Sequence, residues 1–313
     1  MRNVRKTAVV GMGIMGPDIA LGFAMGGCGV MAYARRPESL DDAGKRVASN
    51  MDQLVRENLV REEEADAIAG RITYTSDLEE ALGRADYVTE AVSENIEVKR
   101  DIFKQCGEIC DGDVVVASNT SSISINEIAA NMKHPERAIV THWFIPAHLM
   151  PVIEVVPGSR TSGAAVQATR DLLTGIGKRP AVCRENPAFV HNFIQAAMSR
   201  AALVLVEEGI CEPEDVDAIV QNGFALRLAS IGPVRMVDYA GLDTALALMK
   251  YVYGKTGNPC FKPPELLMEK VEKGELGMKS GKGFYPYAPG EADRIRKVAD
   301  ETVIRIKKAL RIK

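Results

Sequence analysis

The sequence predicts an α/β protein in which a doubly wound parallel sheet is followed by a smaller all-helical domain. In the first half of the chain, short runs of β-branched residues alternate with helical stretches, a pattern typical of parallel sheets. From about Glu185 onward, apolar residues recur at helical spacing and no convincing strand remains. At 313 residues the chain is long enough for two domains, which we predict at residues 1–185 and 186–313.

The predicted elements place a candidate site at one edge of the sheet. Strands are predicted at residues 6–10, 29–34, 86–90, 113–117, 138–143 and 151–156. Helices are predicted at 16–27, in a polar hairpin at 39–70, and in the second domain at 189–208, 213–221 and 243–253. Because ligands of open α/β sheets bind beyond the carboxyl ends of the strands, we expect the site at that edge.

The composition argues against several other classes of protein. Hydrophobic residues make up 46% and charged residues 26% of the chain, as in ordinary globular proteins, and the net charge of −3 gives no sign of a nucleic-acid-binding face. The longest apolar runs fall short of the roughly 20 residues that span a bilayer. The N-terminal MRNVRKTAVVG leads directly into glycines, so we interpret it as a first strand and not a signal peptide. We predict a cytoplasmic protein that binds neither nucleic acid nor membrane.

The six cysteines give no sign of a metal site. Cys106 and Cys110 are four residues apart and could share a helix face. Two thiols without a further Cys or His nearby are a poor zinc site, however. We therefore predict free, mostly buried thiols and no bound metal.

A glycine-rich loop after the first strand predicts a Rossmann-type dinucleotide site. The apolar strand at 7–10 leads directly into Gly11-Met12-Gly13-Ile14-Met15-Gly16. Such glycines permit a tight turn, close approach of the backbone to a pyrophosphate and close helix packing, and the helix that begins there directs its N–H groups at the phosphates. The alternative is a purely structural glycine turn. We predict that five residues of this loop bind the cofactor: Gly11, Gly13, Ile14, Met15 and Gly16.

The end of the second predicted strand bears on the choice of cofactor. A carboxylate about 20 residues past the glycines would accept the ribose hydroxyls of NAD, but this chain has Ala34-Arg35-Arg36. No carboxylate repels a 2′-phosphate here, and two guanidinium groups could bind one. We predict NAD(P), with NADP favoured over NAD through Arg35 and Arg36. The alternative is that both arginines are solvated loop charges.

An imidazole and a carboxylate on neighbouring predicted strands form a candidate acid–base pair. His142 ends one apolar strand, and Glu154 lies in the middle of the next among four valine and isoleucine residues. A carboxylate in such surroundings is costly to bury unless it is paired. Pairing with His142 would raise the basicity of the imidazole and stabilise the imidazolium formed when an alcohol loses its proton. The alternative is a surface glutamate and a separately satisfied core histidine.

Further polar residues are expected at the same edge. The segment SNTSS at 118–122, which contains Asn119 and Ser121, follows the apolar strand DVVVA. Asn192 lies near the start of the first long helix of the second domain. Each of these side chains could instead serve as a helix cap.

These motifs resemble those of the L-3-hydroxyacyl-CoA dehydrogenase family along nearly the whole chain. The resemblance implies an oxidoreductase that transfers a hydride between NAD(P) and the 3-hydroxy group of an acyl-CoA ester. The segments that carry it are GMGIMG at 11–16, ADYVTEAVSENIEVKRDIF at 85–103, VVASNTSSISINEIA at 115–129, His142 with Glu154, NPAFVHN at 186–192, DYAGLD at 238–243 and LGMKSGKGFY at 276–285.

The resemblance also implies roles for individual residues. By position, His142 is the general base in alcohol oxidation and the acid in ketone reduction, and Glu154 orients it. Ser121 and Asn192 hold the oxygen atoms of the substrate. Glu94 and Lys99 contact the nicotinamide end of the cofactor, unless they are only helix-surface charges, and Asn119 is assigned to the cofactor too. The helical second domain resembles domains that pair two subunits, so a homodimer is expected.

Departures from the family pattern bear on the substrate. Where the family has His-x-x-Asn-Pro, this chain has Ile145, so a polar group is lost. In the motif PGFxxNR, Ala188 replaces the glycine and Phe193 the arginine. The helical hairpin that offers lysines to coenzyme A has only Arg56 and Arg61 in the segment LVRENLVREEE, and therefore less positive charge for a phosphate-rich ligand.

Another segment supports an alternative substrate. GFALRLASIGP at 223–233 is similar to a segment of the carnitine and gulonate dehydrogenase branch, which oxidises free hydroxy acids. Arg227 could clamp a substrate carboxylate there, or be a surface arginine. The acyl-CoA ester is the first-choice substrate, and a free hydroxy acid of carnitine-, gulonate- or ring-carboxylate-like type is the alternative. A non-catalytic nucleotide-binding protein is the alternative of another class.

Overall fold

The structure is a computed structural model that describes residues 4–311. The outermost ends of the two predicted domains, residues 1–3 and 312–313, lie outside the described residues. The chain forms two compact units, Met1–Met198 and Ser199–Lys313. The division thus falls within a long helix, and the domain boundary at residue 186 stays a prediction.

The first unit is built on one eight-stranded sheet. Its strands are β1 (Lys6–Val10), β2 (Gly29–Tyr33), β3 (Ile72–Thr75), β4 (Tyr87–Glu90), β5 (Val115–Ser118), β6 (Ala138–Trp143), β7 (Val152–Pro157) and β8 (Arg179–Val182). They lie in the order β3-β2-β1-β4-β5-β6-β7-β8, and every neighbouring pair is parallel except β6 and β7. The order reverses between β1 and β4, which is where an open sheet of this kind forms a ligand crevice.

Helices cover both faces of this sheet, so the predicted doubly wound class is confirmed. The helices of the first unit are α1 (Gly16–Met25), α2 (Pro37–Arg56), α3 (Glu62–Ala69), α4 (Leu78–Leu82), α5 (Ile96–Ile109), α6 (Ile125–Ile128) and α7 (Gly163–Gly175). One apolar core joins the sheet to α1, α2, α3 and α7, and a second core joins its other face to α4, α5 and α6. Burial of the strands on both faces explains their continuous apolar runs.

Two strands and one pairing direction differ from the prediction. Both β3 and β8 are four-residue strands at the two edges of the sheet, and β8 contains Pro180 and exposed residues. Short edge strands with little apolar content carry almost no periodic signal. The antiparallel pairing of β6 with β7 follows from the short connection between them, residues 144–151, which contains no helix to carry the chain back across the sheet.

Helix α8 (Phe189–Glu207) lies across the division between the two units. Among the described residues it is the one helix that is long and apolar enough to cross a membrane, by length and composition alone. This is weak evidence, because the core helix of a soluble protein passes the same test. The expectation that the protein binds no membrane stays a prediction.

The second unit is helical over its described residues, 199–311. Beyond α8 it contains α9 (Pro213–Asn222), α10 (Phe224–Ile231), α11 (Pro233–Ala240), α12 (Leu242–Thr256), α13 (Glu265–Glu272) and α14 (Glu291–Ala309). β-Bridge pairing within that range is limited to two isolated bridges, Gly277 with Lys282 and Lys282 with Pro286. A small apolar core forms around Leu242, Leu246 and Leu267.

Candidate active site

The register of the antiparallel strand pair places His142 directly opposite Glu154. The two residues are partners in the ladder between β6 and β7, so their side chains project from the same face of the sheet. His142 Nδ1 lies 2.8 Å from Glu154 Oε2, and both side chains are buried. Because an ionised carboxylate can only accept hydrogen bonds, Nδ1 carries the hydrogen, and in the neutral imidazole Nε2 has the lone pair.

The second carboxylate oxygen of Glu154 is held by the start of α8. Glu154 Oε1 accepts hydrogen bonds from the backbone N–H groups of Val190, at 3.1 Å, and His191, at 2.8 Å. Burial raises the pKa of the Glu154 carboxyl, but the hydrogen bonds from His142 and from the His191 backbone more than offset this and leave the pKa below its ordinary value. Glu154 is therefore ionised at neutral pH and stabilises a positive charge on His142.

Three aromatic rings lie near the imidazole of His142. Phe144 lies edge-on to it with ring centroids 4.9 Å apart, and Phe189 lies at 5.7 Å. His191 lies at 6.3 Å and stacks on Phe144 at 4.0 Å. The sequence predicts no role for Phe144 or His191, because a single residue in a loop or at a helix start carries no periodic signal.

Glu94, Ser121 and Asn192 form a polar cluster at the carboxyl ends of β4 and β5. The Asn192 side-chain amide donates to the backbone oxygen of Ser121 at 3.2 Å, and the Ser121 backbone N–H donates to Glu94 at 3.0 Å. Burial raises the pKa of Glu94, while hydrogen bonds from Thr120 and the charge of Lys99 outweigh it and lower the pKa overall. The structure thus brings together three residues that are distant in the sequence.

Lys99 supports this cluster from inside the protein. Its side chain is fully buried, and Nζ lies 2.9 Å from Glu90 and 3.2 Å from Glu94. Glu90, which also accepts a hydrogen bond from Ser118 at 2.6 Å, was missed by sequence analysis. It ends the apolar strand β4 and is buried, so the rule that identified Glu154 applies to it as well. Lys99 thus holds Glu94 in place, and its predicted contact with the cofactor stays a prediction.

Asn119 has a structural contact in addition to its predicted cofactor role. Its side-chain oxygen accepts a hydrogen bond of 2.8 Å from the backbone N–H of Trp143. Its own backbone N–H donates to the oxygen of Glu90 at 2.7 Å. Asn119 therefore fixes the end of β6, next to His142, relative to β4.

The glycine loop has the shape of a dinucleotide cradle. Gly11 has a φ of +107°, and a Cβ there would lie 2.7 Å from the oxygen of Ala91. A Cβ on Gly16 would lie 1.9 Å from the oxygen of Gly11, so the loop closes tightly on the first turn of α1. A Cβ on Gly13, in contrast, would have no protein atom within 4 Å. The space above Gly13 fits a phosphate group that approaches the backbone closely.

The remaining loop residues lie at the surface beside this space. Ile14 is 68% exposed, and Met15 precedes α1 without a side-chain cap, which leaves the first N–H groups of the helix free for phosphate oxygens. Arg35 and Arg36 are both exposed between β2 and α2, and Ala34 is buried. No carboxylate stands at residues 34–36.

Arg227 lies in the second unit, on α10, with its side chain exposed. Its backbone oxygen accepts a hydrogen bond from Ser230. It belongs to a different compact unit from the other predicted site residues. Its role as a carboxylate clamp stays a prediction.

A buried ionic network beneath the glycine loop was also missed. Asp18, in the first turn of α1, is 1% exposed and accepts hydrogen bonds from Arg46 and Asn50 on α2, each with a shortest distance of 2.9 Å. Nδ1 of His148, in the loop between β6 and β7, lies 3.4 Å from the same carboxylate. Burial lowers the pKa of His148, although the charge of Asp18 opposes this. The network ties the helix of the dinucleotide loop to the segment that follows His142.

Comparison with known proteins gives family matches over both units. Residues 6–186 match the family model described as 3-hydroxyacyl-CoA dehydrogenase, NAD binding domain, and residues 189–287 match the model of the C-terminal domain of the same family. The two matches together cover most of the chain.

Individual relatives agree with this match. The chain is 34% identical over 301 residues to 5-formyl-3-hydroxy-2-methylpyridine 4-carboxylate 5-dehydrogenase of Mesorhizobium japonicum, covering 94% of this chain and 96% of the relative. It is 36% identical over 282 residues to a probable 3-hydroxybutyryl-CoA dehydrogenase of Deinococcus radiodurans, covering 90% and 100%. The crystal structure of a 3-hydroxyacyl-CoA dehydrogenase from Archaeoglobus fulgidus is similar with a TM-score of 0.82 and 31% identity, over 99% of this chain and 100% of that one.

The fold, the glycine loop and these matches define the class of protein: a nicotinamide-dependent dehydrogenase that acts on a hydroxyl group. The chain belongs to the 3-hydroxyacyl-CoA dehydrogenase family. The predicted family and enzyme class are confirmed. NAD is the cofactor that the matched domain binds, and the finer preference for NADP stays a prediction.

Proposed function

We propose that this protein oxidises the 3-hydroxy group of an acyl substrate, with His142 as the general base and Glu154 as its partner. The observation that carries the proposal is the 2.8 Å contact between His142 Nδ1 and the carboxylate of Glu154. It leaves Nε2 able to take the proton of the alcohol and to return it when a ketone is reduced. When bound, NAD would accept the hydride from the carbon that carries the 3-hydroxy group.

The other site residues position the reacting groups in this proposal. Ser121 and Asn192, already joined by a hydrogen bond, bind the oxygen atoms of the substrate. Glu94 orders the loop that carries Ser121 and faces the nicotinamide end, and buried Lys99 fixes Glu94 through its charge. Asn119 holds the end of β6, and with it the imidazole, in place. Such fixed positioning supplies a large part of the rate enhancement of an enzyme.

The acyl-CoA thioester is the first-choice substrate, and a free hydroxy acid is the second candidate. Full-length similarity to 3-hydroxybutyryl-CoA dehydrogenases supports the thioester. The relative that acts on a pyridine carboxylate, at 34% identity over 94% of the chain, supports the free acid. Three exposed side chains also support the free acid. Arg227 carries a guanidinium group, the natural partner of a carboxylate. Ile145 and Phe193 stand where the family has polar groups.

An assay of the pure protein on a substrate panel tests the proposal. The panel contains 3-hydroxybutyryl-CoA, free 3-hydroxybutyrate, carnitine, gulonate and 5-formyl-3-hydroxy-2-methylpyridine 4-carboxylate, each with NAD and with NADP. We expect reduction of the nicotinamide with 3-hydroxybutyryl-CoA. Turnover of a free acid alone would favour the second candidate. Cofactor binding without turnover on any substrate would contradict the proposal and favour the non-catalytic nucleotide-binding protein.

The glycine loop provides a matched pair of variants for the cofactor site. Gly13→Ala adds a methyl group that meets no protein atom, so we expect an unchanged melting temperature but at least tenfold weaker NADH binding, equal to about 1.4 kcal/mol. Gly16→Ala drives a methyl group into the backbone of Gly11, so we expect both stability and binding to fall. Fluorescence titration with NADH and thermal unfolding measure the two effects. Undiminished NADH binding by the Gly13→Ala variant would place the phosphates elsewhere.

The choice between NAD and NADP depends in this proposal on Arg35 and Arg36, which bind the 2′-phosphate of NADP. We expect a lower KM for NADP than for NAD in the wild-type protein. Removing a charged phosphate contact costs about 1.5–3 kcal/mol, so Arg35→Ala should raise the KM for NADP roughly tenfold or more and leave that for NAD unchanged. A lower KM for NAD that the Arg35→Ala substitution does not change would show that both arginines are only solvated.

We propose a cytoplasmic homodimer that binds a small-molecule substrate and neither nucleic acid nor membrane. Support for self-association comes from the large apolar side chains exposed along α8, including Phe193, Ile194 and Leu203. Light scattering of the eluting protein gives the mass directly, with twice the chain mass of 34.0 kDa expected.

A further inference from the structure

A second imidazole lies beside the candidate acid–base pair. The rings of His191 and His142 have centroids 6.3 Å apart, and Phe144 contacts both, stacked on His191 at 4.0 Å and edge-on to His142 at 4.9 Å. The backbone N–H of His191 donates to Glu154 at 2.8 Å. The hydrogen bond fixes the backbone of His191 relative to the acid–base pair, and the stacked ring of Phe144 orients its side chain.

His191 differs from the three other histidines in its polar contacts. His134, His142 and His148 each have a carboxylate oxygen within 3.4 Å of Nδ1. Within residues 4–311, the ring nitrogens of His191 make no hydrogen bond, and the side chain is exposed. An exposed imidazole that is held in place and has unused hydrogen-bonding atoms is available to a ligand.

The neighbouring exposed side chain offers no replacement for this polar group. Ile145 follows Phe144 directly, is 64% exposed and cannot form hydrogen bonds. Phe144 presents only a ring to this side of the acid–base pair. Among the rings near His142, His191 is therefore the one that can form a hydrogen bond with a ligand.

We propose that His191 is a specificity-determining residue that donates a hydrogen bond to the C1 oxygen of the substrate. The inference rests on the proposed function, in which the C3 hydroxyl lies at Nε2 of His142. The ring centroids of His142 and His191 lie 6.3 Å apart, and each hydrogen bond spans about 3 Å. The two imidazoles can therefore each bind one oxygen of the same 3-hydroxyacyl group. The C1 oxygen belongs to a thioester carbonyl or to a free carboxylate, and the same imidazole serves either.

The test separates binding of the C1 oxygen from catalysis. We expect His191→Leu to raise KM about tenfold for the preferred panel substrate while kcat changes less than threefold, because a contact made equally in ground and transition states affects KM alone. His191→Gln keeps a donor and should recover most of the loss. A larger effect on thioesters than on free acids identifies the carbonyl as the ligand atom, and the reverse identifies the carboxylate. An unchanged KM, or a fall in kcat that glutamine does not rescue, would contradict the inference.

Binding to an inactive protein keeps this test independent of turnover. Calorimetric titration of His142→Gln with acetoacetyl-CoA and with acetoacetate measures the dissociation constants, and adding His191→Leu should weaken binding of one of them about tenfold. An equal dissociation constant in both proteins, or no binding of either compound, would overturn the role of His191. Failure of the proposed function is seen elsewhere, as an absence of turnover by the wild-type protein on the whole panel.

Discussion

His142→Gln is expected to lower kcat about 10³-fold or more and to leave NADH binding unchanged. A positioned general acid–base group contributes roughly 10²–10⁴-fold, and glutamine cannot take up a proton at neutral pH. The glutamine amide can still donate to Glu154, so the buried carboxylate keeps a partner. Steady-state rates of NADH formation, with NADH titration as a check of the cofactor site, measure the effect.

A matched histidine variant controls for nonspecific damage. His134 is exposed and lies 3.2 Å from Glu136, so it too belongs to an imidazole–carboxylate pair, but at the surface. His134→Gln should retain the wild-type rate. Turnover by the His142→Gln variant within a few-fold of wild type would remove His142 from the reaction.

Glu154→Gln has the second largest expected effect, and it acts on both rate and stability. The neutral amide cannot stabilise an imidazolium, so we expect kcat to fall about 10²-fold, the lower end of the range for acid–base catalysis. The variant also loses a buried carboxylate that accepts three hydrogen bonds, from His142, Val190 and His191. Glutamine keeps one oxygen that can accept from the two backbone N–H groups but loses the acceptor for the His142 N–H. A hydrogen bond to a charged group contributes about 1.5–3 kcal/mol, so urea unfolding at pH 7 should show a loss of about 2 kcal/mol.

The pH dependence of this loss follows from the direction of the pKa shift. The pKa of Glu154 lies below its ordinary value of 4.5, so its stabilising contribution is complete above pH 4.5 and disappears as the pH falls through the lowered pKa. The difference in unfolding free energy between wild type and Glu154→Gln should therefore shrink in acid. Glu136→Gln, which changes an exposed carboxylate, should leave stability nearly unchanged at every pH. A difference that is constant from pH 7 to pH 3 would contradict an ionised Glu154.

The sequence contained enough information for the fold class and for the acid–base pair. Regular patterns extend over many residues, so the central strands, the glycine loop and the helical second half could be predicted. Glu154 could be singled out because a carboxylate inside an apolar strand is costly to bury alone. The same reasoning would have identified Glu90, which ends a buried strand and binds Lys99.

Other features depend on single contacts that leave no pattern in the sequence. The edge strands β3 and β8 are four residues long, and the direction of β7 is set by a short loop. The role of the Asp18 carboxylate depends on its contacts with Arg46, 28 residues away in the sequence, and with His148, which is much farther along the chain. His191 belongs to the segment NPAFVHN, which the sequence identifies, but the orientation of its ring is given only by its stacking on Phe144.

The loop that follows His142 is held by a second buried charge. Lys178 donates to the backbone oxygens of Ala147, His148 and Met150, with distances from 2.8 to 3.2 Å. Burial lowers the pKa of Lys178 to about 8. Lys178 and the contact of Asp18 with His148 together fix the segment between the two strands that carry His142 and Glu154. The acid–base pair thus lies on rigid elements with a supported connection, as precise catalysis requires.

The double variant His142→Gln/Glu154→Gln tests most directly whether the two residues act as one unit. If Glu154 works only through the imidazole, the double variant should have nearly the same kcat/KM as His142→Gln alone, because effects of residues that act together are strongly non-additive. Loss of activity in the double variant equal to the product of the two single losses would show independent roles. That result would contradict the coupled imidazole–carboxylate pair on which the proposed function rests.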